Sequence, residues 1–252
     1  MDQLSSYGFY GGLALALLVW AIHFAYERGR KRGVAEADDS MADLPKVEWL
    51  NGEDSPTGRK CLDCRAYALG VQLVTKDSEA LERFADNTQS DGSELEGKSP
   101  DKAWLVDVKW EFDFEQIDAM VNGMRPQVAE DMWMIDCRGS RMYFRRSWTG
   151  QLVFMTNLNR VPAGGATITR IWVPGEDPFD KQSPEYLAAY VKHLIETHLL
   201  GNLTPFPIPP DFPKDDEKIA QFVFHSVGRR GWLAEYFKKG DEAQDFHETD
   251  YE

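Results

Sequence analysis

Residues 132–157 read MWMIDCRGSRMYFRRSWTGQLVFMTN, and this stretch sets the architecture of the chain. Three runs rich in aromatic, aliphatic and Met side chains, Met132–Cys137, Arg141–Ser147 and Leu152–Asn157, are separated only by Arg138-Gly139-Ser140 and Trp148-Thr149-Gly150-Gln151. Links this short join antiparallel neighbours, because a parallel return needs a crossover of about a dozen residues. A fourth run, Ala166–Val173, follows the turn Pro162-Ala163-Gly164-Gly165. The expectation is an antiparallel meander.

The middle strand carries unusual chemistry. Residues two apart on a strand share a face, so Arg141, Tyr143, Arg145 and Ser147 project together, opposite Met142, Phe144, Arg146 and Trp148. If the second set faces the core, the first offers guanidiniums and hydroxyls suited to a phosphate or carboxylate. With Arg138 in the preceding turn and Arg229-Arg230 further on, these residues form the candidate anion-binding set: Arg138, Arg141, Arg145, Arg146, Ser147, Arg229 and Arg230. Asp136 and His225 are the acid/base candidates beside it. The competing reading pairs these arginines with the domain's many acids on a solvated face.

Working outward, Ala103–Phe112 (AWLVDVKWEF) reads as a further strand, and Asp113–Met124 as a helix stopped by Gly123 and Pro126. Residues 77–86 read as a helix capped by Asp77 or Ser78. The sixteen polar residues 87–102 between them are long for a connection inside a domain, which marks them as mobile or functional. Ala66–Val74 reads as a strand or a short helix. On the other side, residues 174–183 are an acidic Pro-containing loop. Ser183 caps and Pro184 opens a helix running to Leu200, whose apolar residues recur at three and four. Residues 202–214 hold five Pro and read as extended, 215–224 as helical, and 232–237 as a last short segment before a charged tail from Lys238.

Cys61-Leu62-Asp63-Cys64 has the spacing of half a zinc site, but a second pair is missing and the only other thiol is Cys137. Two partly buried thiols are the leading reading, with a metal site at Cys61, Cys64 and Cys137 the minor one. No cofactor is implied. The nucleophile-elbow, zinc-protease, P-loop and dinucleotide signatures are absent.

The N-terminal region has a different composition. Tyr7–Tyr26 (YGFYGGLALALLVWAIHFAY) contains no Asp, Glu, Lys or Arg over twenty residues, and as a helix would reach about 30 Å, a bilayer's hydrocarbon thickness. Glu27-Arg28-Gly29-Arg30-Lys31-Arg32 follows, while only Asp2 precedes. That asymmetry predicts an uncleaved single-pass anchor in the inner or plasma membrane, N-terminus outside and C-terminal domain cytoplasmic. Gly8, Gly12 and Ala16 share one face, at a spacing that lets two such helices dimerise. Residues 27–46 read as basic flank and acidic tether, with folded sequence from about Val47.

The chain has net charge −14. Residues 1–33 carry four Lys/Arg against two Asp/Glu, so the remaining 219 residues carry −16. Such a domain repels nucleic acid and anionic lipid surfaces and favours basic protein partners. The fold expected is a single transmembrane helix followed by an α+β domain, residues 47–237, with a four- to five-stranded antiparallel sheet packed by helices. The function expected is a membrane-anchored binding or adaptor domain for a protein partner. The alternatives are an enzyme or sensor for a small anionic ligand at the Arg-rich hairpin, and a structural subunit of a membrane complex.

Overall fold

In the computed structural model, residues 46–100, 103–162, 164–174 and 182–238 are described. The proposed membrane span 7–26, its Gly8/Gly12/Ala16 face, the basic flank, nearly all of the tether and the tail beyond Lys238 lie outside them. Among the described residues no helix is long and apolar enough to cross a membrane.

The fold is α+β, and the meander forms its larger sheet. Strands β4 (Trp133–Arg138), β5 (Arg141–Arg146), β6 (Leu152–Asn157) and β8 (Ala166–Pro174) lie side by side, all antiparallel, with β3 (Ala103–Phe112) beyond β8. The two-residue β7 (Asn159–Arg160) continues the β6 side of the hairpin against β8. Alternation follows the expected register: Trp133 and Ile135 of β4 and Met142 and Phe144 of β5 enter the main core, while Tyr143 and Arg145 face the opposite side.

Helices cover the inner face. Helix α4 (Pro184–His193) opens as the sequence dictates, with Ser183 Oγ accepting from the Tyr186 amide and Pro184 in the first turn. It buries Leu187, Tyr190 and Val191, then passes into a π-helical turn, Leu194–Leu199, which buries Leu194 and Ile195. Helix α5 (Asp216–Val227) adds Ile219, Val223 and Phe224. Helix α3 (Phe114–Asn122) is held at its start by a reciprocal capping box between Asp113 and Gln116. Helix α2 (Ser78–Gln89) is capped by Asp77.

A second sheet departs from expectation. Its order is β1 (Glu48–Leu50), β2 (Cys61–Asp63), β10 (Leu233–Tyr236), β9 (Phe206–Ile208), and β9 pairs parallel with β10. Strands of three or four residues are too short to show a period, and Pro207 within β9 argues against a strand unless it sits at a sheet edge, as it does. The expected strand or helix at 66–74 resolves into helix α1 (Arg65–Gly70) and then a run, 71–77, without helix, turn or ladder.

Two glycines permit the closest approaches. Gly123 closes α3 at φ 66°, ψ −162°, and a side chain there would meet the Ile135 carbonyl at 2.3 Å. Gly228 closes α5 at φ 75°, ψ −153°, where a Cβ would stand 2.1 Å from the Glu130 carbonyl. Only glycine occupies that backbone region readily, and forcing another residue into it costs about 1–3 kcal/mol before any clash. Gly228→Ala is therefore expected to lower the unfolding free energy at neutral pH by at least that amount, whereas Gly97→Ala, with open space around it, should cost less. Equal losses would remove the close approach as the cause.

Candidate functional site

The outer face of the β4–β5 hairpin is not open to solvent. Leu95, in a 3₁₀ turn (Ser93–Leu95) of the long polar loop, is 4% exposed and packs with Tyr143 and Met155, with Leu152 and Trp172 beside them. The loop buries the face that was expected to present a free arginine strip.

Arg145 is 3% exposed and already partnered. Its Nε and Nη2 donate to Asp136 Oδ2 at 3.1 and 2.9 Å, and its Nη1 donates to Glu94 Oε1 at 2.7 Å. Asp136, 3% exposed, also accepts from Arg125 at its other oxygen. Gly92, at φ +79°, makes this approach possible, since a Cβ there would meet Asp136 Oδ1 at 2.5 Å. At the hairpin tip Arg138 reaches Asp91 only at 3.8 Å, and Arg141 stacks over Trp172 at 5.8 Å. Hydrogen bonds from Ser93, then the guanidiniums of Arg138 and Arg125, hold the Asp91 carboxyl below its usual range. Burial works against Glu94, but the Ser90 hydroxyl and Arg145 still hold it below its usual range.

The remaining members of the set belong elsewhere. Arg146 turns to the inner face, where it lies 4.8 Å over Trp133 and donates to the Ser226 and His225 carbonyls at 2.8 and 2.9 Å. These are C-terminal carbonyls of α5, which have no partner within the helix and favour a cation. Trp133 Nε1 and Tyr190 OH donate to the same Ser226 carbonyl. Ser147 is fully buried and its Oγ has no partner among the described residues. Arg229 Nε donates to Asp131 Oδ1 at 2.8 Å, and Arg230 Nη1 to the His198 carbonyl at 2.9 Å. The C-terminal helix does fold back on the hairpin, but at the face opposite Asp136 and Arg145. Asp136 and His225 are therefore not brought together as an acid/base pair.

Cys61 and Cys64 are buried around β2, and burial pushes the Cys64 thiol up to about 12. Burial also raises Cys137, on β4. Thiols held protonated are poor nucleophiles and metal ligands. Among the described residues no group of three or more His, Cys, Asp or Glu is placed to hold a metal ion.

A concavity of about 380 Å³ lies at the run that follows α1. Ala68, Leu69, Val71, Leu73, Val74 and Val128 line it, with Glu130 and Arg229 at its polar side. Leu69, Val74 and Val128 are 71%, 85% and 36% exposed. Along the run burial alternates: Val71, Leu73 and Thr75 are half-buried while Gln72, Val74 and Lys76 are exposed. Backbone bonding follows it only at Val71 and Leu73, and the Thr75 backbone makes no hydrogen bond among the described residues. The Val71 amide donates to the Tyr67 carbonyl, and the Leu73 amide to Glu130 Oε1 at 2.6 Å. Among the described residues, Gln72, Val74 and Lys76 make no backbone hydrogen bond. One side of the run is thus tied to the protein at Leu73, and the side of Gln72, Val74 and Lys76 is unpaired among the described residues. Sequence reasoning missed this edge because AYALGVQLV is too short and too uniformly apolar to show where its helix stops.

Comparison with known protein families, curated proteins and solved structures finds no match to this chain.

Proposed function

We propose that this chain is a membrane-tethered binding domain that takes up an extended segment of a protein partner along residues 72–76. The carrying observation is the unpaired backbone edge at Gln72, Val74 and Lys76 beside the exposed aliphatic side chains of Leu69, Val74 and Val128. An unpaired edge offers main-chain hydrogen bonds to an added strand, and the hollow beside it selects an aliphatic side chain on that strand. Contiguous exposed apolar surface of this kind marks a protein-interaction site. The domain's net acidity favours a partner segment flanked by Lys or Arg.

The charge-free Tyr7–Tyr26 and the following Arg28, Arg30, Lys31 and Arg32 support the tether and a cytoplasmic placement of the domain. Confinement at a membrane raises the effective concentration of a partner held there, which suits a small site.

The test is photocrosslinking from position 74 of the full chain in membranes, with adducts mapped to sequence, in the native chain and in Leu69→Asp. The substitution is expected to reduce the adduct about tenfold or more, an interface loss of at least ~1.4 kcal/mol. Stability should change by only about 0.5 kcal/mol, since Leu69 is exposed. Adducts that map to no extended aliphatic segment, or that persist undiminished in Leu69→Asp, would rule out this edge.

A further inference from the structure

The outer face of the β4–β5 hairpin shares no residue with the apolar groove, and its charges are arranged differently. Arg125 and Arg145 converge on one buried acid, Asp136, and Arg138 lies two residues further along the same strand, on the same side of the sheet. The other carboxylates present come from the loop: Glu94 on Arg145 and Asp91 near Arg138. These loop acids are water-exposed, with side chains 44% and 72% accessible. Arg138 is under-satisfied. Its Nε is buried without a partner among the described residues, and Asp91 stands beyond hydrogen-bonding distance. Arg141 meets no carboxylate among the described residues.

The loop is held on the face chiefly by Leu95 and the Glu94–Arg145 pair. A carboxylate on a guanidinium uses the same fork geometry as a phosphate, but a phosphate dianion brings more charge and three acceptor oxygens. We propose that Arg125, Arg138 and Arg145 form a receptor for a phosphate dianion, free or as the monoester of a small molecule, and that Asp91 and Glu94 occupy it as internal substitutes. The incoming phosphate displaces the two loop carboxylates, neutralises the excess guanidinium charge and satisfies the Arg138 donor. This accounts for a local concentration of arginine in a chain of net charge −14.

The test uses the full chain and equilibrium dialysis against inorganic phosphate and, separately, glycerol phosphate. Asp91→Asn combined with Glu94→Gln should tighten binding about tenfold or more, because two like charges leave the site. Adding Arg138→Met to that chain should reverse the gain, and Arg138 is half-exposed at a hairpin tip, so the fold should stand. If Glu94→Gln loosens the fold on melting, Asp91→Asn alone carries the same expectation at the exposed end of the loop. Tighter binding of the monoester than of inorganic phosphate assigns the small-molecule source, and equal binding assigns the free ion. A loop variant that binds neither anion, or whose binding Arg138→Met leaves unchanged, overturns the proposal.

Discussion

Asp136→Asn is expected to destabilise the domain by about 3–5 kcal/mol, the cost of removing one partner from a buried ion pair. Asp136 is the hub of the outer face, accepting from Arg145 at one oxygen and Arg125 at the other. An amide can accept at one position but carries no charge, so the buried Arg145 guanidinium would be left with Glu94 alone. Glu94 is half in water and Arg125 is one-third exposed, which places the loss towards the lower end of that range. The same geometry changes the expectation for Arg145→Ala. On a solvated strip that substitution would spare the fold, but here it leaves the buried Asp136 with Arg125 alone and should destabilise comparably. Replacing both partners with apolar residues of similar volume, Asp136→Leu with Arg145→Met, should cost less than either single change, because no buried charge is left uncompensated. Urea midpoints of the four chains decide the matter. A native-like midpoint for Asp136→Asn would show that water reaches the pair and that the loop does not seal this face.

The meander was legible in the sequence because its information is local. Period-two patterning and Gly-containing links place β4, β5, β6 and β8 within a residue or two, and Asp113, Ser183 and Pro184 announce their helix starts. What covers the outer face of the sheet was not legible. Leu95 is a lone leucine in a sixteen-residue, mostly polar loop, and nothing in its neighbours says that it docks on Tyr143 and Met155. That single contact converts an expected open arginine strip into a closed, charge-paired face. Arg146 shows the same limit from the other side. Alternation placed it inward with Met142 and Phe144, but its acceptors, the last carbonyls of α5, lie about eighty residues away in sequence. The second sheet depends on equally remote pairings: β2 against β10 and β9 beside β10, each three or four residues long. A site on the run after α1 becomes visible only when bonded and unbonded edges can be told apart.

The other large expected effect is acid destabilisation through His193 and His198. Both rings are buried, 3% and 5% exposed, at the junction of α4 with its π-helical turn, with centroids 6.1 Å apart. His193 Nδ1 meets Thr204 Oγ1 at 3.3 Å and its Nε2 has no partner among the described residues. His198 Nε2 donates to the Val227 carbonyl at 3.2 Å and its Nδ1 is likewise unpartnered. Protonation would place a charge in a buried site, where the backbone at Pro205 and Thr204 offsets only part of the cost at His193. Burial therefore pushes His193 down to about 3, and burial, then the neighbouring His193 and Arg230, push His198 well below its ordinary value. In the unfolded chain both titrate near ~6.5. Below that pH the unfolded chain binds protons that the folded chain does not, so stability is fully present above it and falls as the pH drops towards the folded values. Each histidine contributes about 1.4 kcal/mol per pH unit, so going from pH ~7.5 to pH ~5 should remove about 4 kcal/mol. That is a large share of the ~5–15 kcal/mol typical of a domain. The carboxylates held low, such as Glu94, add their losses only at more acidic pH. Unfolding free energy measured at half-unit steps through this window should therefore fall steadily with acid, and the slope should drop by more than half in His193→Gln with His198→Gln, the remainder coming from His225, which burial and then Arg146 also hold below its ordinary value. A native slope retained in the double variant would mean that other groups take up the protons, and that the unpartnered ring nitrogens reach water.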